Sequence, residues 1–258
     1  MEKNIYFVSD FHLGADGVRN SEERERQIVR WMDMVKDDAA ALYLLGDIFD
    51  FWYEYKSVVP KGYVRLLGKL ATWTDSGIPV YFFTGNHDIW MFRYFEEELG
   101  IEVIRKPRLV EINGKKFYLG HGDGLGKGDY TFKFLKKVFT CRIAQWLFSR
   151  IHPNFAFGLA RAWSKKSRYT NEQKDRIFTL KRETLVNYAN KLTEKMSIDY
   201  VVFGHRHLPM DITLKNKKSR YVNIGDWVNH NSYAVFDGKE LKIKFYENEE
   251  GKVITMHQ

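Results

Sequence analysis

Five short polar motifs, each standing close behind an apolar run, constrain the fold of this chain most strongly. Runs such as Asn4–Val8 and Tyr200–Phe203 are short and apolar, which predicts buried strands. The motifs that follow such runs are Asp10-Phe11-His12, Gly46-Asp47, Gly85-Asn86-His87-Asp88, Gly120-His121-Gly122-Asp123 and Gly204-His205-Arg206-His207. Because α/β proteins place reactive groups at strand-to-loop junctions, we expect the motifs to meet at one edge of a sheet.

The order of the predicted elements favours an α/β (α+β) fold. Glu22–Lys36 and Tyr63–Thr74 have the spacing of amphipathic helices. The other predicted strands are Ala41–Leu45, Ile78–Phe83, Lys115–Leu119, Tyr221–Ile224, Ser232–Phe236 and Leu241–Tyr246. Since helices alternate with strands early and strands dominate late, we expect two sheets packed face to face with helices outside.

A helical insert rich in aromatic residues separates the fourth motif from the fifth. Residues 127–168 contain ten Lys or Arg and one acid, so this segment carries the excess positive charge of the chain. Helices without strands in this place predict a cap over the strand ends. We therefore divide the chain into a core, residues 1–123 and 171–258, and a cap, residues 124–170. The basic, apolar helix of the cap indicates contact with acyl chains or a membrane surface, and packing on its own domain is the alternative.

The composition restricts the compartment and the type of metal site. With one cysteine, Cys141, the chain can form neither an internal disulfide nor a cysteine-based zinc site, and a reducing cytoplasm fits best. No stretch reaches the roughly 18 uninterrupted apolar residues of a membrane span. We expect a cytoplasmic protein that does not cross a membrane but can touch one.

The motifs combine carboxylate, imidazole and carboxamide groups without thiolate. This mixture suits Mn²⁺, Fe²⁺ or Zn²⁺, whereas Mg²⁺ alone would prefer an oxygen-only set. The motifs offer more ligands than one tetrahedral site needs, which indicates two adjacent ions. Two ions about 3.5–4 Å apart lower the pKa of a water between them and clamp an in-line displacement at phosphorus. The sequence therefore predicts hydrolysis of a phosphate ester or anhydride.

Taken together, the motifs resemble those of the calcineurin-like metallophosphoesterase superfamily. The pattern D-x-H, G-D, G-N-H-[DE], G-H and G-H-x-H is met in order. The resemblance implies a four-layer αββα sandwich with two metal ions. It assigns the first ion to Asp10, His12, Asp47 and His207, and the second ion to Asp47, Asn86, His121 and His205. It also implies that His87 contacts phosphate or protonates the leaving oxygen, and that Asp88 orients His87.

The chain also resembles the UDP-2,3-diacylglucosamine diphosphatases of lipid A biosynthesis. The resemblance is carried by the position of the cap, by the run Gly46–Trp52 and by His121–Asp123. It implies that Mn²⁺-dependent hydrolysis at the α-phosphorus of UDP-2,3-diacylglucosamine releases UMP and 2,3-diacylglucosamine 1-phosphate, at the inner face of the cytoplasmic membrane. The predicted substrate-binding residues are Asn86, His87, Ser164, Lys165 and Arg168.

Two alternatives remain at the level of the sequence. Many of those lipid enzymes have Arg where this chain has His87, which leaves open another substrate, such as a nucleotide, a nucleic acid or a phosphoprotein. A pI near 9.3 allows nucleic acid, but no known nucleic-acid module is present, so we do not expect that partner. A non-catalytic scaffold of the same fold is the second alternative, and the full set of ligands argues against it. The sequence makes no prediction of oligomeric state.

Overall fold

The strands pair into two six-stranded sheets. The computed structural model describes residues 3–16, 20–128, 130–160, 162, 164, 180 and 183–258. The strands of these residues are β1 (Asn4–Val8), β2 (Ala39–Leu44), β3 (Val80–Phe83), β4 (Glu102–Ile104), β5 (Arg108–Ile112), β6 (Lys115–Leu119), β7 (Tyr200–Phe203), β8 (Met210–Thr213), β9 (Arg220–Asn223), β10 (Ser232–Phe236), β11 (Leu241–Phe245) and β12 (Ile254–His257). The first sheet has the order β11-β10-β1-β2-β3-β4, and the second has the order β12-β8-β9-β7-β6-β5.

Helices occupy both outer faces and the segment between β6 and β7. They are α1 (Ser21–Val35), α2 (Val64–Asp75), α3 (Tyr94–Leu99), α4 (Tyr130–Thr140), α5 (Arg142–Phe148), α6 (residues 153–160, with 162 and 164 also helical) and α7 (Thr184–Thr193). In the part of the chain that the structure describes, no helix is long and apolar enough to cross a membrane.

Three apolar clusters give the molecule its four layers. Phe7 of the first sheet stacks on Phe117 of the second, with ring centroids 5.7 Å apart, and so joins the two inner faces. Trp31 of α1 packs in the cluster that covers the outer face of the first sheet. Leu185 of α7 packs in the cluster on the outer face of the second. The αββα arrangement expected from the sequence is confirmed.

The first two helices form because their apolar faces match the sheet and their first turns are capped. In α1, Ile28, Trp31 and Met32 are buried on one face. The side chain of Asn20 accepts a hydrogen bond from the nitrogen of Glu23 (2.9 Å), which satisfies a free donor at the start of α1. The buried carboxylate of Glu25 in α1 accepts from the first backbone nitrogens of α2, so one helix caps the next.

Parallel pairing brings the motifs to one end of both sheets. Strands β1 to β4 run parallel to one another, and β6, β7 and β9 are parallel in the second sheet. The first three motifs follow β1, β2 and β3, and the last two follow β6 and β7. Their side chains therefore meet where the carboxyl ends of these strands converge.

The structure also contains elements that the sequence did not predict: β4, β5, β8, β12, α3 and α7. Where predictions were made, the bounds of β1, β6, β7 and β10 agree in full. Strand β3 begins at Val80 and not at Ile78. Pro79 lies between these positions, and a proline has no N–H to donate to a neighbouring strand.

The helices α4 to α6 attach to core loops through aromatic side chains. The indole N–H of Trp90 donates to the carbonyl of Phe139 (2.7 Å), and its ring lies 4.8 Å from that of Phe148. The hydroxyl of Tyr53 donates to the carbonyl of Gln145 (2.7 Å). The division into a core and a cap at residues 124 and 170 stays a prediction.

Candidate metal centre

The loops that carry the ligand-type side chains have an unusual backbone. Asp10, His12, Asp47, His205 and His207 all have φ between 44° and 69°, in the left-handed region that non-glycine residues rarely adopt. Such conformations persist only where the surrounding structure enforces them, and they concentrate at functional sites.

Glycines make room for the loops. A Cβ on Gly46 would lie 2.7 Å from the nitrogen of Gly85 and 2.8 Å from Nδ1 of His121. These distances are shorter than any ordinary carbon contact, so a side chain at position 46 would push the second and third motifs apart.

The residues predicted for the first ion lie together. Nε2 of His207 lies 3.3 Å from Oδ1 of Asp10 and 3.3 Å from Nε2 of His12. Nε2 of His12 lies 3.6 Å from the same Asp10 oxygen and 3.8 Å from Oδ2 of Asp47. Donor atoms of Asp10, His12 and His207 all fall within 4.8 Å of one another, which is the spacing of a shared cation.

The residues predicted for the second ion form an adjoining group. Nε2 of His121 lies 3.2 Å from Oδ2 of Asp47 and 3.3 Å from the side-chain oxygen of Asn86. Donor atoms of Asp47, His121 and His205 again lie within 4.8 Å of one another. Because Asp47 also belongs to a group with His12 and His87, its carboxylate lies between the two halves of the centre.

Burial and neighbouring charges shift the pKa values of the side chains at the centre. Burial opposes ionisation of Asp47, but the nearby imidazoles, His121 first, overcome it and keep the pKa of Asp47 far below its usual value. Burial likewise lowers the pKa of His121, yet the charge and hydrogen bond of Asp47 raise it to about 10. A divalent cation that binds this imidazole must displace its proton.

One carboxylate oxygen of the centre accepts no hydrogen bond within the described residues, although two imidazoles lie close to it. Oδ1 of Asp10 is buried and accepts no hydrogen bond, although Oδ2 of the same side chain accepts from the backbone nitrogen of His205 (3.0 Å). Buried polar atoms are nearly always satisfied, so an exception needs a physical explanation. A cation between Asp10 and His207 would supply it.

His87 lies at the side of the centre, where its ring contacts Asp50 and Ser164. Its Nδ1 lies 2.9 Å from the carbonyl oxygen of Asp50 and 3.3 Å from Oγ of Ser164. Because a carbonyl only accepts, Nδ1 carries the hydrogen that it donates to Asp50. Burial lowers the pKa of His87, in spite of the nearby Asp47 carboxylate.

Asp88 does not contact the ring of His87, contrary to the expectation. Its carboxylate accepts from the backbone nitrogens of Gly85 (2.7 Å) and Ile48 (2.8 Å) and so ties the second motif to the third. Burial, followed by the charge of Asp47, raises the pKa of Asp88 to about 7. The side chain supports the loops that carry Asp47 and Asn86.

Asp50 is a residue of the centre that the sequence prediction missed. Its Oδ1 accepts from Oγ of Ser164 (2.7 Å) and lies 3.5 Å from Nδ1 of His12. Ser164, which was predicted to bind substrate, is thus buried beside the centre and joins α6 to it. Asp50 stands three positions after Asp47 in the Gly46–Trp52 run. The spacing of the two aspartates does not by itself show that both lie at the centre. The predicted substrate-binding residues Lys165 and Arg168 lie outside the described residues.

Asp226 is the second residue that was missed. Its carboxylate lies 3.1 Å from Nδ1 of His207. A signal was present in the sequence, because Gly225-Asp226 follows a strand just as Gly46-Asp47 does.

A buried arginine fixes the first motif from behind. The guanidinium of Arg24 in α1 donates to the carbonyl of Phe11 through Nε (2.7 Å) and to that of His12 through an η nitrogen (2.8 Å). It also donates to the carbonyl of Ala15. One side chain therefore satisfies three carbonyls of the loop that carries Asp10 and His12.

Comparisons with known proteins identify relatives of the chain. A family model described as calcineurin-like phosphoesterase matches residues 3–209. A Porphyromonas gingivalis protein named UDP-2,3-diacylglucosamine hydrolase is 36% identical, covering 97% of this chain and 100% of that protein. A Shewanella protein of the same name is 29% identical, covering 88% of this chain and 90% of its own. The solved E. coli phosphoesterase Yfce is 15% identical with a TM-score of 0.47, and the match covers 95% of this chain and 93% of that one.

The matched range includes all five motifs, from Asp10 to His207. The ligand groups of the metal centre lie within this range. The chain belongs to the calcineurin-like phosphoesterase family.

Proposed function

We propose that the chain hydrolyses UDP-2,3-diacylglucosamine at the α-phosphorus. A water oxygen would attack that phosphorus, the bond to the bridging oxygen would break, and UMP and 2,3-diacylglucosamine 1-phosphate would leave. The observation that carries the proposal is the match to the Porphyromonas gingivalis hydrolase, which is 36% identical and aligned along 100% of its length. The Asp, Asn and His side chains gathered at one sheet edge provide the chemistry that such a reaction needs.

The residues present fit two divalent cations. Nitrogen and oxygen donors without thiolate suit Mn²⁺, Fe²⁺ or Zn²⁺, and we expect Mn²⁺. Asp10, His12, Asp47 and His207 would hold the first ion, and Asp47, Asn86, His121 and His205 would hold the second. When bound, such ions would activate a water and offset the negative charge of the phosphoryl oxygens.

His87 and Ser164 would position the substrate at the edge of the centre. Since Nδ1 of His87 donates to the Asp50 carbonyl, the opposite nitrogen is the one that would face the phosphate or exchange a proton with the leaving oxygen. The hydroxyl of Ser164 lies 3.3 Å from the same ring and would help to hold the substrate there. Lys165 and Arg168 stay predicted contacts for the anionic part of the substrate.

The cap offers an apolar, basic surface for the acyl chains. Phe134, Ile143 and Phe155 are 65%, 70% and 70% exposed, which is unusual for large apolar side chains. Trp146 is 55% exposed, and the guanidinium of Arg150 lies 4.9 Å from its ring centroid. Apolar residues next to cations favour an interface with anionic lipid, so we propose a peripheral position on the inner face of the cytoplasmic membrane.

The activity is tested by measuring UMP release from UDP-2,3-diacylglucosamine by purified protein. Protein stripped with a chelator should be inactive and should recover with Mn²⁺. Asp47→Ala and Asn86→Ala should each remove most of the activity, because Asp47 is shared by both ions and Asn86 belongs to the second. The control Asp33→Ala changes an exposed carboxylate paired with Lys69 and should act like the wild type. Undiminished turnover by either ligand variant would contradict the proposal.

The substrate class is tested by comparing two substrates. Phe134→Ser and Ile143→Ser should reduce hydrolysis of the acylated substrate more than that of a small chromogenic phosphodiester. Equal losses on the two substrates would contradict the lipid assignment. If the protein hydrolysed the chromogenic ester but released no UMP from UDP-2,3-diacylglucosamine, the result would favour another phosphodiester as the substrate.

The membrane surface is tested by sedimentation with phosphatidylglycerol vesicles. Trp146→Glu should reduce the bound fraction, because it places a carboxylate in the apolar surface of the cap. Leu109→Glu makes the same change at an exposed position on β5 and should leave binding unchanged. Equal binding of the wild type and Trp146→Glu would rule out this surface.

A further inference from the structure

A sixth loop reaches the metal centre from β9. This strand pairs in parallel with β7, the strand that precedes His205 and His207. The loop after β9 therefore opens at the same end of the sheet as the five motifs. Its residue Asp226 is fully buried, and the five motifs do not include it.

The contacts of Asp226 determine which nitrogen of His207 is protonated. Oδ2 of Asp226 lies 3.1 Å from Nδ1 of His207. An ionised carboxylate can only accept, so Nδ1 of His207 carries the hydrogen. In the neutral ring the lone pair is then on Nε2, and this is the atom that lies 3.3 Å from Oδ1 of Asp10.

The same loop also fixes the position of Asp10. The backbone nitrogen of Trp227 donates to the carbonyl of Asp10 (3.1 Å). Asp226 itself is held by the ring of His230 (2.9 Å) and by the side chain of Asn229 (3.0 Å). Two predicted ligands of the first ion, His207 and Asp10, thus contact consecutive residues of one loop.

The two ion positions differ in the group that contacts Nδ1 of a ligating histidine. His207 of the first ion is backed by the carboxylate of Asp226. His121 of the second ion is backed by the neutral carbonyl of Leu45, 2.8 Å from its Nδ1. A carboxylate behind a ligating histidine fixes its tautomer and raises its basicity more than a neutral acceptor does. The first ion would also have two carboxylate ligands, Asp10 and Asp47, against one for the second.

We propose that Asp226 is a positioning residue that presents Nε2 of His207 to the first ion and makes that ion the more tightly bound of the two. The inference rests on the proposed metal centre. Asp226 would act through its contact with His207.

The test is titration calorimetry of chelator-treated protein with Mn²⁺. The wild type should bind two equivalents with different affinities. Asp226→Asn keeps the size of the side chain and should weaken the tighter equivalent by about 10–100-fold while leaving the weaker one unchanged. Asn229→Ala is the matched control, since it removes another donor to the same carboxylate but keeps the contact with His207. It should bind both equivalents like the wild type.

A second measurement requires no variant. Nitrogen NMR of the ¹⁵N-histidine-labelled, Zn²⁺-loaded wild type should show His207 protonated on Nδ1 with Nε2 as the ligand. The reverse arrangement would overturn the inference. So would equal Mn²⁺ affinities in Asp226→Asn and the wild type, or a similar loss in Asn229→Ala, which would indicate a role in folding the loop alone. A wild type that binds no Mn²⁺ would instead refute the metal centre itself.

Discussion

Replacing Arg24 by alanine should destabilise the metal-free protein far more than replacing Arg30, another arginine of the same helix. The guanidinium of Arg24 is 1% exposed and donates to the carbonyls of Phe11, His12 and Ala15. The side chain of Arg30 is 55% exposed and pairs with Glu247 at 3.1 Å. The two substitutions remove the same chemical group from a buried and from an exposed position.

The magnitude follows from the number of buried acceptors that lose their donor. A hydrogen bond from a charged donor contributes about 1.5–3 kcal/mol, and Arg24 makes three of them to carbonyls of one loop. Alanine also relieves the cost of burying the guanidinium, so the net loss is smaller than the sum, and we expect about 3–5 kcal/mol. For Arg30→Ala we expect less than about 1 kcal/mol, the usual range for an exposed ion pair.

The assay is urea unfolding of both variants and the wild type, with chelator present so that metal binding does not contribute. The free energy of unfolding is obtained by linear extrapolation. Arg24→Lys should fall between wild type and alanine, because an ammonium cannot span carbonyls in the way that a planar guanidinium does. If Arg24→Ala lost no more stability than Arg30→Ala, the three carbonyl contacts would not hold the first motif in place.

Further outcomes concern the backbone, the protons and the metal. Gly85→Ala should cost about 1–3 kcal/mol in urea unfolding, because its Cβ would lie 2.5 Å from the nitrogen of Asp47. Gly68→Ala, inside α2 with open space around it, should stabilise by about 0.5–1 kcal/mol. Because the pKa of His121 is raised to about 10, Mn²⁺ binding at pH 7 should release a proton. The apparent affinity should then rise about tenfold per pH unit, and calorimetry in buffers of different ionisation enthalpy detects the release. Free Mn²⁺ at 100 times its dissociation constant should raise the free energy of unfolding by about 2.7 kcal/mol per ion, and no rise in the melting temperature would contradict binding to the folded state.

The sequence predicted those elements whose signal is local. Lys115–Leu119 and Tyr200–Phe203 have the predicted bounds because each strand ends directly before the glycine of a polar motif. Strand β12, Ile254–His257, was missed because it exists through parallel pairing with β8, far away in the sequence. Helix α7 was missed although Leu185 and Val186 are buried, since its burial depends on the second sheet.

The candidate site was predictable in its residue types but not in its supporting contacts. The motifs name the side chains, and parallel strands bring them together without further information. The sequence does not encode which carboxylate contacts which imidazole, and for that reason Asp88 was expected beside His87. In the structure the backbone carbonyl of Asp50 accepts from His87, and the carboxylate of Asp88 accepts from backbone nitrogens.

The left-handed backbone at five predicted ligand positions lowers the stability of the fold. A non-glycine residue in this region costs on the order of 1 kcal/mol, and glycine would avoid most of that cost. Glycine at Asp10, His12, Asp47, His205 or His207 would relieve this strain but would also remove a ligand and its buried contacts, so the chain cannot give up the strain and keep the metal centre.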